Sequence, residues 1–274
     1  MNIVGLGKAG CKIADGFNRY PQYTSYKIDV GQTGDKCYDF PFFKTTEEYE
    51  EKTPNLKKFF NDIRGEILFI VGGSGAISCA ILNILQQLDS KNISILYIQP
   101  ELLLLNETQA ARERLVRGVL QEYARCALLK RIYLISNQDL EKTIGEVPIM
   151  SYFDRLNEVL VHTFHMLNVF KNSEPVIGKI EGPRDVCQIS TFGVYDFIKN
   201  EEKLFFPLSC SRDICYIYGL SEEKLKTDGS LFRMIVNQMK GKLSDNTNIS
   251  YAVFPTKYDE NIAYCVAHAS LIQT

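Results

Sequence analysis

The chain has 274 residues, 45% of them hydrophobic and 23% charged, with a formal net charge of −2. That length suits one large domain or two modest ones, the composition is that of an ordinary globular protein, and the near-neutral charge removes any bulk electrostatic case for binding nucleic acid or an anionic membrane. No apolar run is long enough to span a bilayer, no signal peptide is expected after Met1, and eight cysteines without CxxC spacing read as buried free thiols in a reducing, cytoplasmic compartment.

Residues 2–6 form a short apolar strand that runs into Gly5-Leu6-Gly7-Lys8-Ala9-Gly10, and Ile13, Ala14 and Phe17 then recur at helical spacing. This satisfies GxGxxG at a strand-to-helix turn. Residues 26–29 read as a second strand ending in Asp29, where a dinucleotide fingerprint expects a ribose-binding carboxylate. A Rossmann NAD site and a plain close-packed turn are therefore both open. Residues 31–53 mix turn residues, aromatics and an acidic run (Glu47, Glu48, Glu50, Glu51) that reads as a solvated helix face. The spacing of Leu56, Phe59, Phe60 and Ile63 predicts a helix over 54–64.

Residues 67–85, ILFIVGGSGAISCAILNIL, are the stretch that organises the chain. A buried strand leads into Gly72-Gly73-Ser74-Gly75, and a helix over about 77–88 follows. Glycines let the backbone approach a ligand, and a helix N-terminus offers unpaired N–H groups to phosphate. The alternatives are a phosphate cradle and a tight turn without a ligand. Strands follow at 93–98 and 132–135, the latter closing on Ser136-Asn137. Between them a helix over 108–127 is expected to turn Ala111, Leu115, Val119 and Tyr123 inward and Arg112, Glu113 and Arg117 outward. The longest expected helix, over 149–170, carries Phe153, Leu156, Leu160, Phe164 and Leu167 on one side. Alternating strands and helices to about residue 170 predict an α/β, Rossmann-like parallel-sheet domain over 1–171 that includes the central helix. Beyond it, strands at 186–192, 214–218, 251–254 and 262–270 and a helix over 231–240 predict a smaller mixed α+β domain over 172–274. His162 and His165 lie three apart on a helix but have no evident third ligand, so no metal site is expected.

In this order the features resemble the tubulin/FtsZ superfamily. IVGLGKAGCKIADGF is similar to its first glycine-rich turn, GGSGAIS stands where the family has a GGGTGTG-type loop, LISNQDL is similar to its strand ending in Pro-Asn, and PIMSYFDRLNEVL is similar to the start of its central helix. The likeness covers nearly the whole chain as architecture and a few motifs as residues. It implies a guanine nucleotide, GTP or GDP with Mg2+ as a candidate companion, and head-to-tail self-assembly into filaments. It implies a phosphate cradle from Gly7, Lys8, Ala9, Gly10 and Cys11 and from Gly72, Gly73, Ser74 and Gly75. It also implies base reading by Asn157 with Phe153 beside the base, and contacts from Asn137, Glu107 and Arg112. Lys12 is a second candidate cation. Glu181 and Asp185 stand near the two catalytic acids of the family, which act on the nucleotide of the next subunit. Departures are plain: Val71 and Ile77 replace glycines of the loop, and 29–54 is short for the family's γ-phosphate loop. GTP hydrolysis is therefore expected to be weakened. A scaffold protein with the fold and little or no GTPase activity is the alternative, and an NAD-binding Rossmann protein the second.

Overall fold

The computed structural model describes residues 1–88, 92–243 and 246–274. The chain divides into two compact units, Met1–Val161 and His162–Gln273.

The first unit runs β1 (Asn2–Leu6), α1 (Gly7–Phe17), β2 (Thr24–Asp29), β3 (Cys37–Asp39), α2 (Thr46–Glu51), β4 (Ile67–Gly72), α3 (Ile81–Leu85), β5 (Ile93–Gln99), α4 (Glu107–Arg125), β6 (Arg131–Ser136) and α5 (Asn137–Ile144). A further helix, α6 (Tyr152–Lys171), passes from this unit into the next. The strands pair in parallel in the order β3-β2-β1-β4-β5-β6. A parallel sheet covered on both faces needs strands that are apolar throughout rather than alternating. β4 and β5 meet this demand: Ile67 to Val71 and all seven residues of β5 are buried. Strand order turns back at β1, with β2 and β3 laid to one side and β4, β5 and β6 to the other. That reversal opens a crevice beyond the carboxyl ends of β1 and β4, the place where doubly wound sheets receive ligands.

Two expected helices differ. Residues 57–62 form successive turns within an otherwise irregular segment, with Phe60 N–H donating to Leu56 O and Ile63 N–H to Phe60 O. Leu56, Phe60 and Ile63 are still buried, so the apolar spacing located the packing face without locating a helix. Gln87 anchors the start of the segment: its amide accepts from Leu56 N–H at 2.6 Å and donates to Pro54 O at 3.0 Å. After the second glycine turn, a 3-10 segment over Ala76–Ala80 precedes the short α3. Ser78 Oγ donates back to Gly72 O at 2.5 Å and holds this start tight.

The second unit follows α6 with β7 (Ile177–Gly178), β8 (Ile189–Asp196), β9 (Glu201–Leu204), β10 (Asp213–Ser221), α7 (Glu222–Thr227), α8 (Ser230–Lys242), β11 (Asn248–Thr256) and β12 (Ile262–Ala269). Its mixed sheet has the order β8-β12-β10-β11-β7, with β9 on β8. β10 and β11 are parallel and their other neighbours antiparallel. Side chains of a strand alternate between faces, and β10 uses both. Cys215 and Ile217 join Met166 and Phe170 of α6, whereas Tyr216 and Tyr218 join Leu231, Ile235 and Met239 of α8. The unit is thus a sheet between two helices.

Candidate functional site

β1 passes into α1 without a linker, and Gly7, the first helical residue, has φ +71°. That left-handed backbone is what a glycine supplies at such a turn. The flanking glycines have a different task. A Cβ on Gly5 would stand 2.3 Å from Gly10 O, and one on Gly10 would stand 2.6 Å from Ile70 O. Gly5 and Gly10 therefore let α1 lie against β1 and β4. The Cys11 side chain also turns inward, its Sγ donating to Gly5 O at 3.4 Å and Ile28 O at 3.6 Å. Burial, aided by the negative charge of Asp29, pushes that thiol up to about 12. Gly7, Lys8 and Ala9 carry first-turn amides, which an α-helix leaves without intrahelical partners. Lys8 and Ala9 are exposed.

The second turn lies beside the first. A Cβ on Gly72 would meet the Ala9 Cβ at 3.6 Å. Three of the turn's carbonyls are occupied: Gly72 O by Ser78 Oγ, Ser74 O by Nη1 of Arg112 at 3.0 Å, and Gly75 O by Ser78 N–H. Gly73 N–H donates to Ile98 O at 3.0 Å. The donors this leaves for a ligand are the Ser74 and Gly75 N–H groups and the Ser74 hydroxyl, a set suited to an anion. Ile77 bears on the same space, since a Cβ on Gly7 would stand 2.9 Å from its Cγ2.

Below Gly73 lies a group that the sequence reading placed outside. Glu113 is 1% exposed and Arg117 5% exposed. Arg117 Nε donates to Glu113 Oε1 at 2.7 Å, and Nη2 to Oε2 at 3.4 Å. Tyr97 Oη donates to the same carboxylate at 3.1 Å, and Gln99 Nε2 reaches Oε1 at 3.4 Å. Burial first, then the Glu113 charge, raises the Tyr97 phenol above its usual range. Conversely Leu115, expected inward, is 66% exposed. The apolar spacing misassigned the face of α4 because it counts every charged residue as solvated, whereas a paired carboxylate and guanidinium are tolerated inside. The usable signal was the Glu–Arg spacing of four opposite a strand that carries Tyr97 and Gln99 at alternate positions.

A third feature is a cavity of about 280 Å3 lined by Lys12, Asp15, Gly16 and Arg19 of α1 and by Asp154, Asn157 and Glu158 of α6. Lys12 Nζ stands 3.4 Å from Asp154 Oδ1 and Arg19 Nη1 3.8 Å from Glu158 Oε1. Both pairs are well exposed, so they guide the cavity's charge and contribute little to stability. Asn157 brings a donor and an acceptor to this wall. Phe153, expected on the apolar side of the helix, is 60% exposed and meets Tyr152 edge-on at 5.1 Å. Its ring is therefore available to a ligand rather than spent in the core.

The remaining candidates belong to other elements. Asn137 is the first residue of α5, half-buried, behind the Ser136 cap of that helix. Glu107 is the exposed first residue of α4, next to the reciprocal Asn106–Gln109 cap. Glu181 and Asp185 belong to the second unit, between β7 and β8. Glu181 pairs with Lys179 at 2.7 Å, and Asp185 is exposed. Asp29, the carboxylate of the NAD reading, closes β2 and accepts from Val30 N–H at 2.9 Å.

No protein-family model matches the sequence, and no curated protein matches it. Solved structures match over nearly the whole chain. A CetZ from Methanosaeta thermophila is 16% identical with a TM-score of 0.69, covering 99% of this chain and 87% of its own. A GTPγS-form protofilament of TubZ from Bacillus thuringiensis serovar israelensis is 14% identical with a TM-score of 0.72, covering 97% and 86%. An FtsZ dimer from M. jannaschii is 12% identical with a TM-score of 0.69, covering 98% and 87%. The chain has the tubulin/FtsZ fold.

Proposed function

We propose that this chain binds a guanine nucleotide, with its phosphates at the paired glycine turns beyond β1 and β4 and its base toward Asn157 and Phe153, and that it assembles head to tail. The observation that carries the reading is the meeting of two glycine turns at the strand-order reversal. Gly72 stands against Ala9, and the carbonyls of Gly72, Ser74 and Gly75 are occupied, so the shared edge offers amides to a phosphate chain. The neighbouring TubZ structures, GTPγS-form and GDP-form protofilaments, support the ligand and the assembly by analogy. In a head-to-tail polymer the loop carrying Glu181 and Asp185 comes from the next subunit, where carboxylates orient an attacking water. Mg2+ would be carried by the phosphates of the nucleotide.

One observation favours the second reading, a filament or scaffold protein with little hydrolysis: Ile77 crowds the space over Gly7 where the family has a glycine. Titration with GTP, ATP and NAD, followed by light scattering with GTP, separates the readings. Binding of GTP in preference to ATP, with the preference lost in Asn157→Ala while phosphate affinity survives, supports the first. NAD binding alone ends it, and filaments without GTP turnover select the scaffold. Glu181→Gln and Asp185→Asn should slow turnover and spare binding; unchanged turnover in both removes them from the chemistry.

A further inference from the structure

The Gly72-Gly73-Ser74-Gly75 turn has almost no side chains with which to hold its own shape, so its conformation must come from its surroundings. Besides Ser78 and the end of β5, α4 supplies part of those surroundings. Arg112 of α4 donates to Ser74 O at 3.0 Å. The next residue, Glu113, lies directly under Gly73: a Cβ there would stand 3.0 Å from Glu113 Cγ and 2.0 Å from Tyr97 Oη. Glu113 is in turn held by Arg117, Tyr97 and Gln99. Stability does not call for this arrangement, because apolar residues of similar volume commonly serve a core as well as a buried ion pair. What an apolar core lacks is direction. A carboxylate with three donors has one allowed position, and it fixes the surface on which Gly73 rests.

We infer that Glu113, Arg117 and Tyr97, together with Arg112, are positioning residues for the 72–75 turn: α4 and the turn behave as one body, and the buried pair sets where the turn's amides stand. The inference rests on the nucleotide reading for its consequence, since a turn placed from beneath governs affinity for phosphates and leaves the base untouched.

The variants Tyr97→Phe and Glu113→Gln keep volume and act below the turn, out of reach of a ligand. Leu120→Ala, at a fully buried apolar position on the same helix, is the control for general destabilisation. For each, the affinities for GTP and guanosine, the melting temperature, and hydrogen exchange of the Gly73 amide, which donates to Ile98 O, are measured. Expected for Tyr97→Phe and Glu113→Gln are exchange faster at Gly73 by at least tenfold and GTP binding weaker by about tenfold, with guanosine within twofold of wild type. Leu120→Ala should lower the melting temperature and change neither exchange at Gly73 nor the GTP-to-guanosine ratio. Equal losses for both ligands, or the same pattern in Leu120→Ala, overturn the inference. If the wild-type chain binds no nucleotide, the nucleotide reading fails, and hydrogen exchange alone decides the positioning: faster exchange at Gly73 in the two network variants and not in Leu120→Ala upholds it, and any other pattern rejects it.

Discussion

Gly73→Ala changes one hydrogen into a methyl group and should be among the most damaging single substitutions in the first unit. The new Cβ would stand 2.0 Å from Tyr97 Oη, 2.8 Å from Tyr97 Cζ and 3.0 Å from Glu113 Cγ, and the phenol is fully buried. Overpacking a filled site costs about 1–3 kcal/mol. Moving the phenol away also sacrifices its hydrogen bond to an ionised carboxylate, about 1.5–3 kcal/mol. The sum, about 2.5–6 kcal/mol, is a large share of the roughly 5–15 kcal/mol that holds a domain together. Tyr97→Phe by itself loses only the hydrogen bond and should cost about 2 kcal/mol. The double variant cannot lose that bond twice and no longer has the 2.0 Å clash, although the contact with the ring carbon remains. It should therefore be more stable than additivity allows by about 2 kcal/mol, within the range seen for touching residues. Urea denaturation of the four proteins, followed by far-ultraviolet circular dichroism, measures the cycle. A loss below about 1 kcal/mol for Gly73→Ala, or additivity within about 0.5 kcal/mol, would refute the account of the turn resting on the buried tyrosine.

Gly7→Ala should cost about 2 kcal/mol, combining the left-handed backbone with the contact to Ile77 Cγ2, and about half of that in an Ile77→Ala background where only the backbone strain remains. Ile77→Ala itself should cost about 2–4 kcal/mol of stability while tightening GTP at least threefold, and unchanged or weaker GTP binding would show that Ile77 does not crowd the cradle. At alkaline pH the folded chain holds the Cys11 proton more tightly than the unfolded one, because burial and Asp29 raise the thiol from 9.0 to about 12. That contribution is whole below pH 9 and disappears as pH rises through 12, with Cys187, raised to about 11, acting in the same sense. Urea midpoints should fall above about pH 9, less steeply in Cys11→Ala; parallel curves would remove Cys11 from the effect. Under native conditions an alkylating reagent should label exposed Cys126 first and spare Cys11, Cys187, Cys215 and Cys265 until the chain unfolds, with mass spectrometry as the readout.

The strands were legible because parallel strands buried on both faces are written as unbroken apolar runs, as in ILFIVG and ISILYIQ. Helix extent was legible where helical spacing ran long, as in α6, and failed at 54–64, where the apolar spacing recorded the buried face and not the backbone. The glycine turns announced themselves as motifs, but their separate duties did not. Gly5 and Gly10 serve helix packing, Gly7 serves the turn, and Gly73 makes room for a tyrosine hydroxyl.

The α/β class and both glycine turns are written in the order of residues alone, because they depend on local periodicity and backbone freedom. Tertiary structure alone decided that β1 lies beside β4, with β2 and β3 sent to the other side, so that turns distant in the chain share one edge. It alone turned Glu113 and Arg117 inward, since a charged pair inside a protein depends on the partners that meet it there, and neither hydropathy nor spacing records those partners.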